Sequence, residues 1–179
     1  SDENAAYAVD GGLLFANDNG QWLQVNTPKD VIVSTVATSA DMTDAESIYI
    51  GAANQLAVYR STDGGVNWLH VPLTDAYVGG VTSLAVDSNL RLVYVGTDTA
   101  GLFRLRDVGP SMIATSHLLL DEPVREVVAD STGAGMAFAR TDWGLYRTDN
   151  LGMSWQTVGD LGSAPTALAI ANTAPPPHL

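Results

Sequence analysis

One internal period dominates this sequence. The aromatics Phe15, Tyr59, Phe103 and Tyr146 recur at intervals of 44, 44 and 43 residues. Trp22, Trp68 and Trp155 hold matching places behind them, with Met112 in the third unit. A second pattern interleaves with the first: VSTVAT from Val33, VTSLAVD from Val81, VREVVAD from Val124 and PTALAIA from Pro165. These runs alternate apolar or small residues with polar ones and close on turn residues, as short strands do. No stretch of the chain reads as an amphipathic helix. A period near 43 residues with four short strands in each unit predicts an all-β propeller blade.

One complete unit predicts an inner strand Val81–Asp87, a second strand Leu92–Gly96, a third strand Leu102–Leu105 and an outer strand Met112–His117. The chain opens on second, third and outer strands (Ala6–Val9, Leu13–Ala16, Trp22–Val25), runs through three complete units, and reaches a spare inner strand at Thr166–Ala171. The fold class predicted is therefore a small β-propeller of four four-stranded blades. The approximate units are 5–26 plus 165–171, 33–71, 81–119 and 123–159, within a propeller region 1–173 followed by a Pro-rich tail, 174–179. The spare strand closes the ring beside the N-terminal hairpin, which removes exposed sheet edges. Two other arrangements satisfy the same pattern: a homodimer in which two chains complete a larger ring, or a part of a longer propeller. Small inner residues (Ala37, Ala85, Ala129 and Ala169) suit a narrow axis.

Composition narrows the function classes. The formal net charge is -12, with 20 Asp and Glu against 8 Lys and Arg, and the basic residues stand singly. Such a chain repels phosphate backbones and anionic bilayers, so no nucleic-acid partner and no membrane insertion are expected. No apolar run approaches 18 residues. The absence of cysteine excludes disulfides, thiol catalysis and thiolate metal sites. Its three histidines, His70, His117 and His178, follow no metal-ligand spacing, and no cofactor is expected. No phosphate loop, nucleophile elbow or dinucleotide fingerprint occurs.

The sharpest local motif is Ser61-Thr-Asp-Gly-Gly-Val-Asn-Trp68, with a partner at Thr148-Asp-Asn-Leu-Gly-Met-Ser-Trp155. Asp63 and Asn150 can accept hydrogen bonds from their own turns, Gly65 and Gly152 can take positive φ, and Trp68 and Trp155 anchor the following strand. A calcium loop would need alternating acidic ligands and a distal Glu, which are missing. Together with IYIG…YRSTDGGVNW and VYVGTDTAGLFR, these turns resemble the Asp-box (BNR) repeat of sialidase-like, sortilin-like and photosystem-assembly-factor-like propellers. That resemblance implies a hairpin between third and outer strands, with Ser61, Asp63, Gly65, Trp68, Thr148, Asn150, Gly152 and Trp155 in structural roles, on the side away from the ligand face. It also implies a secreted or periplasmic protein. The first unit, NDNGQW, is one residue short, and the third, RDVGPSM, lacks the Trp.

A sialidase needs an arginine clamp and a Tyr–Glu pair. Here Arg60, Arg104 and Arg147 occupy equivalent places, which favours repeated structural salt bridges over one clamp. A two-carboxylate glycosidase has better candidates in Asp98 and Asp142, in matching turns between second and third strands. Asp75, Tyr77, Asp121 and Glu122 lie in connections reaching the same face, and Trp143 could stack on a sugar. The same carboxylates could equally shape their turns. The leading expectation is a non-catalytic binding or scaffold module for a protein or glycan partner, with Asp75, Tyr77, Asp98, Asp121, Glu122, Asp142 and Trp143 as ligand-binding candidates. The alternatives are a paired-carboxylate glycoside hydrolase and a structural module of a larger assembly.

Overall fold

The structure is a computed structural model that describes residues 6–39, 46–119, 122–130, 132, 134–159 and 165–170. Fifteen strands and no helix occur among these residues. The first sheet holds β1 (Ala6–Asp10), β2 (Leu13–Asp18) and β3 (Gln21–Val25). The second holds β4 (Val33–Ser39), β5 (Ser47–Ala52), β6 (Ala57–Ser61) and β7 (Leu69–Pro72). The third holds β8 (Val81–Asp87), β9 (Leu92–Thr97), β10 (Leu102–Asp107) and β11 (Met112–Leu118). The fourth holds β12 (Val124–Ala129), β13 (Ala137–Thr141), β14 (Leu145–Thr148) and β15 (Gln156–Thr157). Every pairing is antiparallel between chain neighbours, so each sheet is a meander, and the sheets follow one another as propeller blades.

A single sheet of this kind has two apolar faces and needs cover on both. Three clusters supply it. Leu14 and its neighbours meet Ile48, Ile50 and Tyr59 between the first and second sheets. Tyr49, Val58 and Val71 meet Val93, Val95, Phe103 and Met112 between the second and third. Tyr94 and Leu102 meet Val124, Val127, Ala137 and Ala139 between the third and fourth. The inner strands β4, β8 and β12 lie side by side. Gly51 permits this approach in the second sheet. A Cβ there would collide with Val81 of the third sheet's inner strand and with Thr35, and Gly96 stands likewise against Val124.

All three inner strands carry a β-bulge at the same place, at Ser34, Thr82 and Arg125. The first two bulge residues reach the next sheet: Ser34 Oγ donates to Val81 O at 2.5 Å and Thr82 Oγ1 donates to Val124 O. A buried ionic group ties the second and third sheets. The Asp107 carboxylate pairs with Arg60 and accepts the Tyr49 hydroxyl at 2.7 Å.

Among the described residues the arc does not close as the sequence pattern predicts. The first sheet has three strands, and residues 165–170 form no ladder with β1; Ala171 and the tail 174–179 lie outside the described residues. The segment nevertheless takes an inner-strand place. Leu168 N–H donates to Glu126 Oε2 at 3.1 Å, as Val127 N–H donates to Ser83 Oγ at 3.0 Å one junction earlier. A physical difference accompanies the lost pairing. Where Gly51 and Gly96 admit the next inner strand, the fourth sheet has Arg140, whose Nε lies 3.3 Å from Glu126 Oε2. No comparable contact joins the first and fourth sheets among the described residues.

Candidate functional site

The turns between second and third strands all emerge on one face of the arc, together with the connections that enter the inner strands. Asn54, Asp98 and Asp142 stand 44 residues apart at the tips of these hairpins. Asn54 and Asp98 hold the connection before their own inner strand, and Asp142 holds the bulge residue of its own. Asn54 Oδ1 accepts Ile32 N–H at 3.2 Å, and its amide donates to Asp30 O at 2.9 Å. Asp98 Oδ1 accepts Gly80 N–H at 2.8 Å, and the Asp98 N–H donates to Gly80 O at 3.1 Å. Asp142 accepts both Nε and Nη2 of Arg125, at 2.7 and 2.6 Å. At Asn54 and Asp98 the task is to latch a loop, and the amide at Asn54 performs it without charge.

Electrostatics at the tip of the fourth sheet are set by that bidentate pair. Hydrogen bonds from Arg125 hold the Asp142 carboxyl below its ordinary range, and the same bonds raise the guanidinium. The charge of Asp98 also acts on Arg125. Asp98, Arg125 and Asp142 therefore share one neighbourhood across two sheets. Trp143 stands beside it, 67% exposed. Its turn is fixed by Thr141, whose Oγ1 accepts the N–H groups of Trp143 and Gly144 at 3.1 and 3.2 Å.

The remaining candidates fall elsewhere on the face. Tyr77 sits edge-on to His117, with centroids 6.1 Å apart, and His117 stacks on Phe103 at 4.0 Å. Glu122 Oε1 accepts the Tyr146 hydroxyl at 2.8 Å; burial, then that bond, raises the Tyr146 pKa. Asp75 is exposed, and Asp121 lies outside the described residues. Among the described residues, no group of three or more His, Asp or Glu is placed to hold a metal ion.

On the opposite face, the two turns with the Ser/Thr-x-Asp/Asn motif share one bonding scheme. Ser61 Oγ donates to Asp63 Oδ1 and accepts the N–H groups of Asp63 and Gly65, while Asp63 Oδ1 accepts Asn67 N–H at 2.8 Å. Thr148, Asn150, Gly152 and Ser154 repeat the same set. The Asn67 bonds hold the Asp63 pKa low. Trp68 Nε1 donates to Asn26 O at 2.9 Å and Trp155 packs edge-on to Tyr94, so each turn docks on the preceding sheet.

Two residues of the hairpin-tip face do not stand out in the sequence. Asn54 lacks a carboxylate and so did not stand out. Arg125 was one of several scattered arginines. Its signal was its place one residue after Val124, where the other inner strands carry Ser34 and Thr82.

No protein-family model and no curated protein matches the chain. Solved structures do. A GH74 xyloglucanase from Xanthomonas campestris matches 86% of this chain with 28% of its own, at 23% identity and a TM-score of 0.64. YCF48 from Cyanidioschyzon merolae matches 92% of this chain with 56% of its own, at 12% identity and 0.62. The extracellular domain of a putative one-component system from B. thetaiotaomicron matches 89% with 23%, at 19% identity and 0.58. The chain thus spans between about a quarter and just over half of these proteins. At such identities they show the propeller fold alone.

Proposed function

We propose that the chain is a non-catalytic binding or scaffold module whose hairpin-tip face engages a protein or glycan partner. The observation that carries this reading is the state of the two candidate carboxylates. Asp98 is spent on the Gly80 loop and Asp142 on Arg125, while Trp143 stands exposed beside them on a rigid turn. An aromatic ring bordered by an ion pair is a contact surface for a sugar ring or a polypeptide. General acid catalysis asks for a carboxyl that holds its proton near neutral pH. Asp142 is biased the other way, which makes the paired-carboxylate glycosidase the weaker reading.

The resemblance of the Ser61–Trp68 and Thr148–Trp155 turns to Asp-box repeats supports placing the chain among such propellers. That resemblance, with an extracellular domain among the similar structures, also supports a secreted or periplasmic setting. The experiment is a panel of neutral and basic oligosaccharides and immobilised candidate proteins, read by tryptophan fluorescence and calorimetry. Trp143→Ala is expected to weaken the best ligand at least about tenfold with unchanged melting. Hydrolysis of any glycan that survives in wild type and is lost in Asp98→Asn/Asp142→Asn would refute the non-catalytic reading.

A further inference from the structure

Three sheets present the same face to the sheet before them, and each such face is covered. In the second sheet the covered residues include Ile48, Ile50, Tyr59 and Trp68; in the third, Val93, Val95 and Phe103; in the fourth, Ala137, Ala139, Tyr146 and Trp155. Strand register puts Ala6, Ala8, Phe15 and Trp22 at the corresponding places in the first sheet. Here the face is open among the described residues. Trp22 is 50% exposed, and Ala8, Asp10, Phe15 and Trp22 line a hollow of about 310 Å³.

The other end of the arc offers what this face lacks. Trp68, the counterpart of Trp22, lands beside Val25 and Asn26 at the end of the preceding outer strand. Val158 holds the place of Val25 in the fourth sheet. It lines a hollow of about 150 Å³ with Arg147, Asp149, Ser154, Gln156 and Thr157. Arg147 is the counterpart of Arg60, which reaches Asp107 of the following sheet. In the first sheet the place of Asp107 falls at Asn19, next to Asp18. The segment 165–170 sits against Glu126 as an inner strand would, yet pairs with no second strand. β1 is a second strand whose sheet has no inner strand.

We propose that two copies of this chain join head to tail. The first sheet of each docks on the fourth sheet of the other, Trp22 enters the hollow beside Val158, and residues 165–170 pair with β1 of the other copy. The occupant is a second copy because socket, cation and spare strand all belong to this chain, while its own first and fourth sheets share no comparable contact. Two identical junctions close a ring of eight sheets and leave no free edge. This assembly stands independently of the ligand reading.

Sedimentation velocity up to about 100 µM, with the association constant converted by the usual relation, is expected to give a species of twice the chain mass. Trp22→Ala should weaken association roughly a hundredfold or more, because both junctions lose the ring. At concentrations too low for either to associate, its far-UV circular dichroism and melting should match the parent, since the ring is exposed in the single chain. The chain has no cysteine, so mixing Trp22→Cys with Val158→Cys tests the junction directly. A disulfide between the two different chains is expected. A monomer at every concentration, a dimer indifferent to Trp22→Ala, or no mixed disulfide would each overturn the proposal. A monomer with slowly exchanging β1 amides would show instead that one chain closes on itself.

Discussion

Asp107→Ala is expected to be the most damaging single truncation at the junction of the second and third sheets. The carboxylate is buried and has three partners: the Arg60 guanidinium, the Tyr49 hydroxyl at 2.7 Å and the Gly109 N–H at 2.8 Å. Arg60 is itself largely enclosed; it reaches Asp107 through Nη1, and its Nε has no hydrogen-bond partner. Removing Asp107 leaves a cation in a low-dielectric junction, a loss worth about 3–5 kcal/mol. The stranded Tyr49 hydroxyl adds about 1–3 kcal/mol, and the two do not simply add because they share one partner. The expected total is about 4–6 kcal/mol. For a chain of 179 residues each kcal/mol lowers Tm by about 2–4 °C, so the drop should be roughly 8–24 °C. Arg60→Met should cost less than Asp107→Ala, since Asp107 keeps Tyr49 and Gly109. Tyr49→Phe should cost about 1.5–3 kcal/mol, the worth of a hydrogen bond to a charged group. Urea unfolding followed by tryptophan fluorescence measures all three. The reasoning is refuted if Asp107→Ala lies within about 1 kcal/mol of wild type, or if Tyr49→Phe proves the more damaging.

Gly65→Ala should cost about 2 kcal/mol or more, because Gly65 has φ +91° and a Cβ there would run into Val25 of the first sheet; thermal melting measures it, and a neutral result would break the assigned docking of that turn. Alkaline pH should destabilise the chain through Tyr49 and Tyr94. Burial, aided for Tyr49 by Asp107, raises both above 10.0, Tyr94 to about 12. The folded state then keeps protons that the unfolded state releases, so this stability is complete below pH about 10 and is lost as pH climbs through the raised values. Tyrosinate absorbance and melting followed together should show these rings ionising only as the fold opens; six tyrosines titrating freely in an intact fold would refute it.

Much of the architecture was legible because its signal repeats. Inner strand Val81–Asp87 is read from alternation alone, and β8 has those bounds. The second and third strands of that unit extend only one and two residues further than predicted. The spare strand was misjudged for an identifiable reason. Alternation in PTALAIA reports that the segment fits an inner-strand place, and Leu168 does dock there on Glu126. It does not report whether a particular second strand lies within reach, which depends on how far three junctions have turned the arc. Arg140, standing where Gly51 and Gly96 let backbones approach, was the local warning. The carboxylates were located correctly in hairpin tips, but their partners were not legible. Gly80 and Arg125 meet Asp98 and Asp142 across 18 and 17 residues, and strand alternation between them names no side-chain partner.

Repetition also bears on where function should be sought. A residue type that recurs at one place in every unit is explained by what every unit needs. Ser61 and Thr148 seed equivalent turns, and Asn54 and Asp98 latch equivalent loops. Such positions lose little of their structural purpose when one unit is swapped for another, so they say least about a ligand. The informative positions break the pattern. Arg125 replaces the hydroxyls of Ser34 and Thr82 and turns its charge to the hairpin tip instead of the next sheet. Trp143 puts a large ring into solvent in a turn where the third sheet has Thr99. Both changes lie at the hairpin-tip end of the fourth sheet. Arg125 is accounted for by the Asp142 carboxylate, whereas the Trp143 ring stands 67% exposed, so Trp143 is the position at which the proposed binding face is best tested.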